Sequence, residues 1–146
     1  MDEWSDQWSD RQRERDERFE RLTHEGFLSR SASELESVGE VAEYIALAHW
    51  NREKRGGPLP LTVAEPDTLV GRTIELAGEV GILDAQLREV MKPISSERLE
   101  VALNRLESGE LIHSTKEAHA DRRGTLRLRV TWTTGAATRA QETHEP

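Results

Sequence analysis

The sequence predicts a mainly helical protein that closes with a small antiparallel β-ribbon. Three observations carry this reading. Leu99, Ala102, Leu103 and Leu106 recur at the i, i+3, i+4, i+7 spacing of a helix that buries one face. Residues 125–132 alternate instead, with Leu126, Leu128, Val130 and Trp132 on one side and Thr125, Arg127, Arg129 and Thr131 on the other, which is the period of a strand. Residues 111–118 form a further strand-like run, and the turn between the two is closed by Gly124, so they pair as a hairpin.

The preceding elements follow in order. Residues 2–24 read as a charged helix. Trp4 and Trp8 stand at i, i+4, and Phe19 and Leu22 at i, i+3, with no apolar residue between 9 and 18. Such a helix has no continuous stripe to bury. It is expected either as a solvated arm or as an arm whose Trp4 and Trp8 anchor in a protein partner, because aromatic side chains are favoured interface anchors. Residues 31–55 are expected as one amphipathic helix opened by a Ser31/Glu34 capping box. Leu35, Val38, Ala42, Ile45 and Ala48 share its apolar face. Arg52, Lys54 and Arg55 suit its C-terminal end, and Gly56-Gly57-Pro58 stops it. That stripe needs a cover, from the rest of the chain or from a second copy. As partner-binding residues it nominates Leu35, Val38 and Ile45.

Residues 59–63 alternate like a short strand or an extended linker. Thr62 and Glu65 offer a second capping box for a helix carrying Leu69, Val70, Ile74, Ala77 and Val80, which Gly81 ends. Ile82 and Leu83 form a brief extended bridge. Asp84 is expected to N-cap the next helix, with Leu87, Val90 and Met91 on its inner side and Pro93 ending it. Ser95 caps the helix that carries Leu99 to Leu106, and Ile94 and Leu99 supply a hydrophobic staple. Gly109 is expected to be the left-handed residue after it. From residue 134 the chain is polar and aperiodic and reads as a flexible tail.

Composition sets limits. Of 146 residues, 35% are hydrophobic and 33% charged, which suits one ordinary domain with an appended helical arm. The net charge of −8 is uneven: residues 1–61 carry fourteen acids against nine bases, and residues 62–135 carry twelve against ten. The second part is closer to neutral without being basic, so phosphate binding needs a local basic patch. The absence of cysteine excludes disulfides, thiolate metal sites and cysteine nucleophiles. No apolar run approaches the roughly 20 residues that span a bilayer. The acidic start, Met1-Asp2-Glu3-Trp4, argues against a secretory signal. A cytoplasmic location, or one inside a virus particle, is expected, with no membrane partner. His113 and His119 lack further ligands at metal-site spacing, and no nucleophile elbow or glycine-rich phosphate loop occurs. No catalytic residue, metal or cofactor is therefore expected.

The phrase Ala102-Leu103-Asn104-Arg105-Leu106-Glu107-Ser108-Gly109-Glu110-Leu111-Ile112, with the capped helix before it and the ribbon after it, resembles the winged helix-turn-helix superfamily. The resemblance spans about residues 62–133 and divides the chain into an N-terminal helical region (1–57), a winged helix domain (62–133) and the tail (134–146). It implies that the helix of residues 95–108 enters the DNA major groove while the ribbon tip touches the backbone. Ser96, Arg98, Asn104 and Arg105 would then face the DNA, the arginines suited to guanine and the asparagine to adenine. Arg122 and Arg123 would hold phosphates, with Arg127 and Arg129 adding charge along the ribbon. The implied function is that of a non-enzymatic double-stranded-DNA-binding protein, a small transcriptional regulator acting as a homodimer. Glu97, Glu100, Glu107 and Glu110 oppose it, because they approach a phosphate wall. A salt-rich interior would soften the conflict, since the screening length falls to about 3 Å at 1 M salt. The alternative is a structural or adaptor subunit of a virus particle or other assembly, using the winged helix for protein contacts.

Overall fold

The computed structural model describes residues 3–134, with side chains from Trp8 onward. Its first element is helix α1 (Glu3–His24). From Trp8 to Arg18 the side chains of α1 are exposed, Asp16 alone being partly covered. Its last turns are not. Phe19 is buried and meets the Trp50 ring edge-on, with centroids 5.6 Å apart. Trp50 Nε1 also donates to Asp16 Oδ1 at 2.9 Å. The arm is thus docked on α2 by Phe19, with Leu22 packed beside it, by the Trp50–Asp16 hydrogen bond, and by the ion pairs Arg18–Glu43, Lys54–Asp16 and Arg55–Glu20.

Two single 3-10 turns follow, Phe27–Ser29 and Ala32–Glu34, and then helix α2 (Val38–Arg55). The single helix expected over 31–55 is broken. Ser31 and Glu34 do form their capping box, but around the 3-10 turn. Leu35 is extended, and its carbonyl accepts from Arg72 Nε at 3.0 Å. In a continued helix that carbonyl would take the amide four residues on; the guanidinium takes its place. Ser37 then caps α2, its hydroxyl accepting from the Glu40 amide at 3.1 Å. Leu35 and Ile45 have no exposed surface within this single chain, and Val38 is partly buried against the core. The partner surface expected at Leu35, Val38 and Ile45 is therefore corrected: the chain covers that stripe itself, by packing α2 on the helices that follow.

The strand or linker expected at 59–63 is instead a one-turn helix, α3 (Leu61–Ala64), started by the Pro60 carbonyl, which accepts from the amides of Val63 and Ala64. Thr62 is not a cap; its hydroxyl bonds that of Tyr44 at 2.9 Å. Helix α4 (Asp67–Leu76) ends before Gly78, which turns left-handed, so Val80 lies beyond it and is exposed. Strand β1 (Ile82–Leu83), helix α5 (Asp84–Val90), helix α6 (Ser96–Ser108) and strands β2 (Ile112–Ala120) and β3 (Leu126–Thr134) complete the chain. The three strands are antiparallel in the order β1-β3-β2, with Ile82 opposite Trp132 and the hairpin in register from Ile112↔Thr134 to Ala120↔Leu126.

Two further expectations are corrected at helix ends. Asp84 is the first residue of α5, not its cap, and its carboxylate is taken by Trp132 and Arg88 instead. After α6 the left-handed residue is Glu110 (φ 59°), not Gly109 (φ −82°). The buried side chains form one cluster that runs from Phe19 to Trp132, so the N-terminal helices share their core with α4, α5, α6 and the base of the ribbon. Of the tail expected from residue 134, Thr134 is the last residue of β3, and 135–146 lie outside the described residues. The side chain of Trp4 does too.

Candidate nucleic-acid interface

Helix α6 forms where Ser95 accepts from the Arg98 amide and where Ile94 and Leu99, both buried, staple the entry. Leu99, Ala102 and Leu103 fill its inner face, with Leu106 packed beside them. Leu106 lies over Gly71 of α4, where a β-carbon would meet both leucine methyls at 3.9 Å. The inner stripe fixes what faces out. Ser96, Glu97, Arg98, Glu100, Val101, Asn104 and Arg105 are all exposed.

Several charges on that face are tied down. Arg88 of α5 bridges Asp84 (2.8 Å) and Glu100 (3.0 Å), and these two carboxylates raise the already high pKa of the guanidinium. Arg105 lies 3.6 Å from Asp67 at the start of α4. Glu107 accepts the Ser114 hydroxyl at 3.2 Å, which turns it toward β2. Arg98 and Arg105 line a cleft of about 280 Å³ between α6 and the start of α4, together with Glu97, Val101 and Asp67. Bases and acids alternate there, so this cleft has no single sign.

The ribbon is different. Residues 112–134 carry five bases (Lys116, Arg122, Arg123, Arg127 and Arg129) against Glu117 and Asp121, in a chain whose net charge is −8. Its turn is built by Asp121, whose Oδ1 accepts from the amides of Arg123 and Thr125, both at 2.9 Å. Gly124 supplies the left-handed residue (φ 79°) that closes the hairpin. Asp121 Oδ2 accepts from Arg127 Nε at 3.0 Å; that bond first, and then the two amides, hold the Asp121 carboxyl below its ordinary range. Arg122 and Arg123 lie in the turn at the tip and are exposed.

Register sorts the two ribbon faces. One carries the pairs His119↔Arg127, Glu117↔Arg129 and Thr115↔Thr131; the other carries Ala120↔Leu126, Ala118↔Leu128 and Lys116↔Val130. Only the base of the apolar face is covered. Trp132 is buried, while Leu126 and Leu128 are 74% and 62% exposed. Alternation predicted which residues share a face but not how far the core reaches along it.

The structure thus brings Arg122, Arg123 and Arg127 together at one hairpin end, and Arg98 and Arg105 along one cleft, with Ser96 and Asn104 exposed on the same helix. Trp8 stays far from use in the core, exposed on α1. Sequence reasoning gave Arg88 and Asp121 no role and read Asp84 only as a helix cap, whereas Asp84 holds Arg88 and Trp132 and Asp121 holds Arg127. The Asp-Arg-Arg-Gly order was the available signal for Asp121, because Asp favours the first position of such turns. Among the described residues no helix is long and apolar enough to cross a membrane, and no group of three or more acidic or histidine side chains is arranged to hold a metal ion. No protein-family model, curated protein or solved structure matches this chain.

Proposed function

We propose that this protein is a winged helix DNA-binding protein without enzymatic activity, a small transcriptional regulator. The order α4, β1, α5, α6, β2, β3, with β3 between β1 and β2, supports the winged helix reading over residues 62–133. In it α6 is the groove-entering helix and the β2–β3 hairpin is the wing. The single observation that carries DNA binding is the charge reversal at the wing: five bases against two acids on the one projecting hairpin of an acidic chain. The pairing of Glu100 with Arg88 also removes part of the electrostatic objection on α6.

The chemistry divides accordingly. Arg122 and Arg123 act on phosphates without regard to sequence, and Arg127 and Arg129 extend that field. Arg98, Asn104 and Arg105 carry base readout, and Ser96 meets a phosphate at the helix start. Arg105 must leave Asp67 to do so, and 3.6 Å at an exposed site is a weak tie.

Fluorescence anisotropy of a labelled random-sequence duplex, titrated with the full chain across a salt series, tests the proposal. Binding that weakens as salt rises supports it, and Arg122→Ala with Arg123→Ala is expected to lower the salt slope by about 2. No binding at the lowest salt overturns it. A second reading, a structural or adaptor subunit working through protein contacts, is favoured by the bare Leu126 and Leu128.

A further inference from the structure

An open groove of about 830 Å³ lies between α4, the end of α6 and the base of the ribbon. Leu106, Ile112 and the bare backbone of Gly71 make its lining apolar, and Leu111 stands on it 60% exposed. Its charged lining is Asp67, Glu75 and Glu110 against one base, Arg72. Asp67 lies 3.6 Å from Arg105, and Glu75 holds Arg72, which the Leu35 carbonyl also takes. Glu110 is therefore the lining acid with no ion pair among the described residues, and Glu75 keeps an exposed side chain. The free end of the ribbon has the opposite character. Arg122 and Arg123 are exposed at the turn, and Leu126 and Leu128 lie bare beside them.

We propose that the ribbon tip of one copy docks in the groove of a second copy, and reciprocally. Leu126 and Leu128 cover Leu106 and Leu111, while Arg122 and Arg123 face Glu75 and Glu110. Charge complementarity between two surfaces of one chain points to a second copy. So does their placement. The groove sits at the base of the hairpin, where Ile112 and Thr134 line it, and the arginines sit at the tip. Two ribbons laid antiparallel therefore set each tip at the other's base. That arrangement uses each surface once per copy and closes on a two-fold axis. The apolar stripe of α2 is no competitor, because the chain has buried it.

This inference does not rest on DNA binding. Arg122 and Arg123 enter both readings, so substitutions in the groove separate them. Sedimentation velocity on the full chain, with circular dichroism to confirm folding, supplies the test. The wild type is expected to be a dimer. Glu75→Arg with Glu110→Arg, and separately Arg122→Glu with Arg123→Glu, are expected to give monomers. An equimolar mixture of the two variants restores a dimer, because each reversed surface then meets its complement. Leu126→Ser with Leu128→Ser, at exposed positions, also gives a monomer. Docking withdraws Arg122 and Arg123 from phosphate, so the groove variant, which frees them, is expected to gain affinity, not lose it, for any duplex that the wild type binds. A monomeric wild type, a dimer that survives either reversal, or a mixture that stays monomeric overturns the proposal.

Discussion

Trp132 Nε1 donates to the Asp84 carboxylate at 2.9 Å, tying the last strand to the first turn of α5 across 48 residues. The same carboxylate accepts from Arg88 Nε at 2.8 Å. Burial pushes the Asp84 carboxyl up, but the hydrogen bonds from Trp132 and Arg88 outweigh it and hold the group below its ordinary value. The folded state therefore binds this proton more weakly than the unfolded chain does. The stabilisation is complete above the unfolded value of about 3.9 and is lost as pH falls through the lower folded value. Asp84→Asn keeps an acceptor but loses the charge, and is expected to cost about 1–2 kcal/mol at neutral pH. Urea denaturation at several pH values checks this: the gap between wild type and variant should narrow as pH drops below about 4.

Gly81 precedes β1 at φ 82°, and a β-carbon there would lie 2.5 Å from the Trp132 carbonyl oxygen and 2.7 Å from Thr133 Cγ2. Both the left-handed backbone and the clash with a neighbouring strand penalise any side chain. Gly81→Ala is expected to lose about 2–5 kcal/mol, the sum of a left-handed penalty of about 1–2 and an overpacking one of about 1–3. A shift of the denaturant midpoint at unchanged m-value reports it.

Glu110 occupies the conformation that Gly109 was expected to take. A left-handed non-glycine residue costs roughly 1–2 kcal/mol, and glycine gives back about 0.5–1 through its freer unfolded state. Glu110→Gly is therefore expected to stabilise the protein by about 0.5–1 kcal/mol in thermal or chemical unfolding. The same change made at Glu107, within α6, should destabilise it instead.

Phe19 is expected to matter more than its charged surroundings suggest. Phe19→Ala removes the ring that Trp50 packs on and should cost about 3–5 kcal/mol. Arg13→Ala, six residues earlier on an exposed turn, should change stability by less than about 0.5 kcal/mol. Parallel melts of the two variants separate a docked arm from a solvated one.

The elements most legible from sequence were those held by local rules. α6 has a cap, a staple and an unbroken i, i+3, i+4, i+7 stripe, and the hairpin has alternation with a glycine turn. What was missed depends on contacts between distant residues. Ser-x-x-Glu occurs at Ser31, Ser33 and Ser37, so the local pattern does not pick the start of the helix; Ser37 caps it, and the Leu35 carbonyl before it is taken by Arg72 of a distant helix. Asp84 fits a cap by type, yet Trp132 and Arg88 claim its carboxylate. The charges on α6 were readable one by one, but their pairing with Arg88 and Asp67 belongs to other elements. The groove below the ribbon draws on four separate stretches of chain, and no window of sequence displays it.

Amide chemical-shift mapping of the full chain during titration with duplex DNA tests the central claim most directly. The account predicts perturbations at residues 96–105 of α6 and 121–129 of the ribbon, fading as salt is added. Shifts confined to α1 and α2, or none at low salt, would contradict it.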